Sequence, residues 1–392
     1  MYPHQVERLT AAREAAGVDA IVATAPANTF YVTGFRSLVQ TVYPEVAVYG
    51  VFGPSGTALV LSAADAVTAA VDGAAVDHVR CHGRLTLGRS RRPEDDAARR
   101  VREWTAAPAA TPGQALASAL EAVGASRGRV GVDETGLTAA AWRHVVEHLG
   151  GHTVVEAARA LARARRVKGP WEIECLQRAL HAAEEAANEV IQALEPGMTE
   201  REAGAMFGRA LSARAAEPHG VAILFGERSA FVAVAPSDRA LRPGDLVRID
   251  VGCVLKGYHA QLARTAVAGK PSDEQQVTYD AVQAALEAAL EAVRPGATAG
   301  SVFEHAVSAA RAAGLPDYDR GQLGHGIGLE AYERPKLAAD SSEELEAGMV
   351  LRIEAPYFEP GWGGVHVRDT ALVTRAGHAV MNRAARGLVA LD

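Results

Sequence analysis

Along its first half the chain alternates short helical and strand patterns. "QVERLTAAREAAG" repeats its apolar positions at helical spacing and is closed by Gly17, and the apolar run "DAIVATA" behind it predicts a buried strand. "EVAVYGVFGPSGTALVLSA" predicts two strands joined by a hairpin turn at Pro54, Ser55 and Gly56. From "RVKGPWEIE" onward the texture changes to two long amphipathic helices separated by "EPGMT", where Thr199 is placed to cap the second. Strands rich in Val and Ile follow, then helical patterns in "DEQQVTYDAVQAALEAALEAV" and "AGSVFEHAVSAARAAG", then strands to the end. Gly and Pro punctuate a basic linker near Arg166 to Pro170 and divide the chain into residues 1–165, an α/β domain, and residues 166–392, each long enough for its own core.

Composition narrows the functional classes. With 48% apolar residues and a net charge of −7, the 392-residue chain reads as a soluble globular protein, with neither nucleic acid nor an anionic membrane as a partner. The opening "MYPHQVERLTAAREAAG" lacks the pattern of a secretory signal, and no apolar stretch approaches the length of a bilayer span, so a cytoplasmic protein is expected. Cys81, Cys175 and Cys253 are scattered and lack metal-type spacing, and they read as small core residues. "HVVEH", His144 to His148, matches a zinc-binding pattern of two histidines one helical turn apart. It ends at Gly150 and Gly151 with no third ligand in view, and reads as a solvated polar face.

Five segments then occur in a telling order: "LRPGDLVRIDVG", "GYHAQLART", "GHGIGLEAYERP", "LEAGMVLRIEAPYF" and "GVHVRDTALVT". Together with "GVDAIVATAPANTFYVTGF" near the start and "RVKGPWEIE" at the boundary, they resemble the creatinase, aminopeptidase P and prolidase family over nearly the whole chain. The resemblance implies a two-domain α/β (α+β) protein, with a creatinase-type amino-terminal domain, residues 1–165, and a pita-bread catalytic domain, residues 166–392. It also implies a homodimer and a small-molecule substrate. Metallopeptidases of this family hold two divalent cations with two aspartates, a histidine and two glutamates. Asp250, His325 and Glu354 match three of these positions, while the second aspartate falls on Gln261 and the last glutamate on Arg368. Two further family histidines near the substrate fall on Ala233 and Tyr332.

Charge decides what such a site can hold. Two dications placed among Asp250, Glu354 and Arg368 would leave it about three units positive, with repulsion on the order of several kcal/mol even at an effective dielectric near 20. A guanidinium cannot lose its proton to relieve this. Strand alternation turns His259 to the face of Gln261 and His366 to that of Arg368, so the pocket loses carboxylates and gains imidazoles. The expectation is a metal-independent, cofactor-free, creatinase-like enzyme using acid/base chemistry on a small polar metabolite, amino-acid-like, amide or amidino, with C–N bond hydrolysis first and elimination or isomerisation open to the same residues. Its candidate catalytic residues are His325, Glu354, Asp250, His259, His366 and Tyr332, and its candidate substrate-binding residues are Arg368, Gln261 and Arg264. Two alternatives stand beside it: an atypical Xaa-Pro peptidase with a single metal on Asp250, His325 and Glu354, and a non-catalytic binding protein whose Arg368 locks those acids.

Overall fold

The computed structural model describes residues 2–88 and 93–391, and the chain divides into two compact units, Met1–Arg165 and Arg166–Asp392. The first unit is built on a six-stranded sheet of β1 (Ala20–Ala23), β2 (Tyr49–Gly53), β3 (Gly56–Ser62), β4 (His78–His82), β5 (Gly128–Val132) and β6 (His152–Glu156), in the order β4-β3-β2-β1-β5-β6. Its helices are α1 (Pro3–Ala16), α2 (Pro26–Thr33), α3 (Leu38–Val42), α4 (Asp65–Asp72), α5 (Asp96–Trp104), α6 (Pro112–Ala122), α7 (Ala139–His148) and α8 (Ala158–Arg166). Gly17 closes α1 in the left-handed conformation, φ 62°, and Pro54 and Ser55 turn β2 into β3. Leu116 and Leu120 of α6 pack on Val51, Val60 and Val130 of the sheet.

The second unit opens with α9 (Pro170–Ala193) and α10 (Glu200–Ser212), and Thr199 accepts from the Glu202 N–H to cap α10. Its ten-stranded sheet comprises β7 (Glu217–Pro218), β8 (Ala222–Phe225), β9 (Leu246–Leu255), β10 (Tyr258–Ala268), β11 (Gly324–Gly326), β12 (Glu333–Lys336), β13 (Val350–Glu359), β14 (Gly363–Val373), β15 (His378–Val380) and β16 (Val389–Leu391). The main path runs β12-β11-β13-β14-β10-β9-β7. Between β10 and β11 come α11 (Asp273–Ala292) and α12 (Ala299–Ala312). Two antiparallel hairpins, β9–β10 and β13–β14, form the centre of this sheet. The first turns on Lys256 and Gly257, both at positive φ (50° and 85°), the geometry that matches a two-residue loop to the strand twist.

The period of two along the strands separates core from site. Leu351 and Ile353 of β13 and Val365 and Val367 of β14 are buried against Val282, Leu286 and Val302 of α11 and α12. Their alternates, Arg352, Glu354, His366 and Arg368, are therefore turned to the other face. All three cysteines are buried and free, and no described helix is long and apolar enough to cross a membrane. In α7, His148 packs on Gly113, where an added Cβ would lie 2.3 Å from the imidazole ring. "HVVEH" is thus a packed helix end.

Candidate active site

The hairpins meet where Ala263 of β10 pairs with Arg368 of β14. Ala263 also faces Asp250 across the first hairpin, and Arg368 faces Glu354 across the second. Directly opposed residues share a face of a sheet, so Asp250, Ala263, Arg368 and Glu354 make one row over four strands. Alternation adds Arg248 on β9, Arg352 on β13 and His366 on β14, and His325 of β11 pairs with Arg352.

Arg368, 3% exposed, ties the row together. Its Nη1 donates to Asp250 Oδ1 at 2.5 Å, and its Nη2 and Nε donate to Glu354 Oε2 at 2.7 and 3.2 Å. Arg352 donates to the same Oε2 at 2.6 Å and to His325 Nε2 at 2.7 Å. His366 places Nε2 2.9 Å from Glu354 Oε2 and Nδ1 3.5 Å from Asp250 Oδ2. Burial works against the charge on both acids but is outweighed. Arg368, joined by His366, holds Asp250 well below the carboxylate range, and Arg368 and Arg352 do the same for Glu354.

His325 is neutral at pH 7, because burial, reinforced by Arg352, pushes it down to about 4. With Nε2 accepting from Arg352, the proton is assigned to Nδ1, which donates to the Gly326 carbonyl at 2.8 Å. The lone pair a base would use is already engaged. The Tyr332 ring lies over His325 at 4.1 Å between centroids, while its hydroxyl donates outward to Gln322 at 3.0 Å, and the residue is 48% exposed. Tyr332 is thus a cover on the imidazole.

The other expected residues are placed apart from this knot. Gln261 shares the face of Ala263 two residues along β10, opposite Gly252, with its Oε1 buried and lacking a hydrogen bond. His259 lies two residues further, about 13 Å along the strand from Ala263, with its ring edge-on to His219 at 4.6 Å. The expectation for Arg264 is corrected. It opposes Ile249 on the reverse face, is buried, and bonds to Asp369 and to the carbonyls of Arg368, Ala384 and Ala385, so it braces the sheet from behind and cannot reach a ligand at Glu354. Arg352 and Arg248 were not singled out from the sequence. The signal was present: "RID" and "RIE" each set an arginine two residues before an acid, on the same strand face.

A pair of divalent cations does not fit this donor set. Gln261 and Arg368 stand at two ligand positions, Arg368 spans the two remaining acids, and Arg352 holds the histidine nitrogen a metal would take. Among the described residues there is no group of three or more His, Cys, Asp or Glu side chains arranged to hold a metal ion.

Comparison with known proteins places this geometry. Residues 174–375 match the profile described as Metallopeptidase family M24, and residues 5–167 match the Creatinase/Prolidase N-terminal domain. A Xaa-Pro dipeptidase of Pyrococcus furiosus is 34% identical over 227 residues, which cover 57% of this chain and 65% of that relative, so the match spans less than two thirds of the relative's length. Among solved structures, dipeptidase PepE of Mycobacterium ulcerans is 28% identical with a TM-score of 0.79, covering 100% of this chain and 99% of its own. The prolidase of Pyrococcus horikoshii superposes at a TM-score of 0.80 with 24% identity, covering 98% and 99%, and shows the fold alone. The mixed α/β, two-unit architecture is that of the pita-bread proteins. These findings overturn the expectation of a metal-independent, creatinase-like enzyme acting on a small amide or amidino metabolite, since the matched family is one of metallopeptidases and the relatives are dipeptidases.

Proposed function

Given that this chain belongs to metallopeptidase family M24, we propose that it acts on the C–N bond of a small dipeptide, the class named in its Xaa-Pro dipeptidase relatives, through an atypical site. The observation that carries this reading is the convergence of Asp250, His325 and Glu354 on one sheet face, at the positions the family resemblance assigns to ligands of the reacting centre. Around them the chain's own residues have definite capacities. Asp250 and Glu354 stay ionised at neutral pH, Arg352 and Arg368 fix their orientation, and Tyr332 shields His325 from water. A homodimer in the cytoplasm is part of the same reading.

The pairing of Arg368 with both acids favours a second reading, a family member that binds a dipeptide without cleaving it. Release of free proline from a panel of Xaa-Pro dipeptides, measured with and without added manganese and beside creatine as a control, separates the two. Proline release that ceases in Glu354→Gln is the expected result. Binding of a dipeptide by calorimetry with no proline released under either condition would replace the first reading by the second.

A further inference from the structure

Beside the acid–arginine knot lies a concentration of positive charge that the knot does not neutralise. Arg248, 1% exposed, makes one hydrogen bond, from Nη2 to the Phe231 carbonyl at 2.7 Å, and its Nε and Nη1 are buried without a partner. Its guanidinium carbon stands 4.8 Å from the centroid of the Phe358 ring, and that of Arg320 stands 5.3 Å from the same centroid. Arg320 Nε is likewise buried and unpartnered, and no ion pair engages Arg320 among the described residues. Phe358 also packs edge-on to His366 at 5.8 Å, which ties this platform to the knot. Asp250 and Glu354 are already bonded to Arg368 and Arg352. Three buried guanidiniums, Arg248, Arg352 and Arg368, thus face two carboxylates, with Arg320 alongside.

A buried charge without a counter-ion is costly, and a guanidinium cannot shed its proton. Stacking on Phe358 preserves the guanidinium plane and leaves its N–H edge to donate, the geometry that grips a planar oxyanion. We propose that Arg248 and Arg320, set against Phe358, form a binding site for the carboxylate group of a small ligand. A carboxylate lowers the excess of positive charge around these arginines and supplies acceptors for donors that have none. The inference deepens the dipeptide reading above, on which its choice of peptide probe rests, by assigning the ligand's free carboxylate to this pair.

The experiment compares acetate, inorganic phosphate, alanyl-proline and alanyl-prolinamide at constant ionic strength, by calorimetry and thermal unfolding, on the wild type, Arg248→Met and Arg320→Gln. Alanyl-proline is expected to bind at least tenfold more tightly than its amide, and each substitution to remove that preference. Arg248→Met is expected to raise the melting temperature of the ligand-free protein, since it deletes an unpaired buried charge while keeping volume. Should Arg248→Met fail to fold, the half-buried Arg320→Gln and the acid-to-amide comparison carry the test. Equal affinity for acid and amide, or unchanged affinity in both variants, would overturn the site, and phosphate binding tighter than acetate would overturn its assignment to a carboxylate. The two readings fail separately. Acetate stabilisation lost in Arg248→Met without peptide cleavage upholds the site alone, whereas cleavage indifferent to both arginines upholds the peptidase alone.

Discussion

His325 carries a pH signature that follows from its surroundings. In the unfolded chain an imidazole takes its proton near pH 6.5, whereas the folded protein holds His325 at about 4. Between these values the unfolded state binds more protons, so stability is full above about pH 6.5 and falls as the pH drops toward 4. The shift corresponds to roughly 3–4 kcal/mol at most. His325→Asn is expected to flatten that part of the stability profile, measured by urea unfolding at stepped pH, and an unchanged profile would contradict the neutral, Arg352-bonded imidazole. Asp250 and Glu354 act in a different window. Their native values are depressed, so their contribution is complete above about pH 4 and lost only below it. The substitutions at Gln261 and Arg368 were legible in the sequence, because a changed ligand stands out inside a known motif. Arg352 was not, because an arginine two residues from an acid on a strand reads equally well as a surface pair until the neighbouring strand shows what it faces.

At the level of strands and helices, the hydrophobic pattern recovered α1, the β2–β3 turn, the capped α9–α10 pair and α11–α12, since each has a terminal signal within a few residues. The row across β9, β10, β14 and β13 was legible only through the family motifs, because long-range strand pairing leaves no local trace. The start of β14 is under tight control. Gly364 donates to Ser229 Oγ at 2.7 Å, and a Cβ added there would lie 2.2 Å from the Ser229 carbonyl oxygen. "GWGG" is thus a close-approach site as well as a turn, and His366 and Arg368 follow it on the same strand. Gly364→Ala is expected to destabilise the protein by about 1–3 kcal/mol, with reduced ligand affinity as β14 shifts. Thermal unfolding checks the first, calorimetry the second, and a melting temperature equal to wild type would contradict the packing.

For the whole molecule, the sequence led to the right fold family and the wrong emphasis on function. Missing ligands argued for a creatinase-like metabolite enzyme, yet overall similarity lies with dipeptidases. Local chemistry at a few positions cannot choose between branches of a family whose scaffold is shared. What the local chemistry does decide is whether a pair of cations fits, and here Arg368 and Arg352 occupy the bonds such a pair would need. The most direct measurement is the manganese content of wild type and of the Gln261→Asp/Arg368→Glu double variant, each saturated with manganese, dialysed and assayed by plasma mass spectrometry. The wild type is expected to retain fewer than two ions per chain and the variant, with two carboxylates gained and a guanidinium removed, to retain a pair. Two ions retained per wild-type chain would contradict the placement of the arginines.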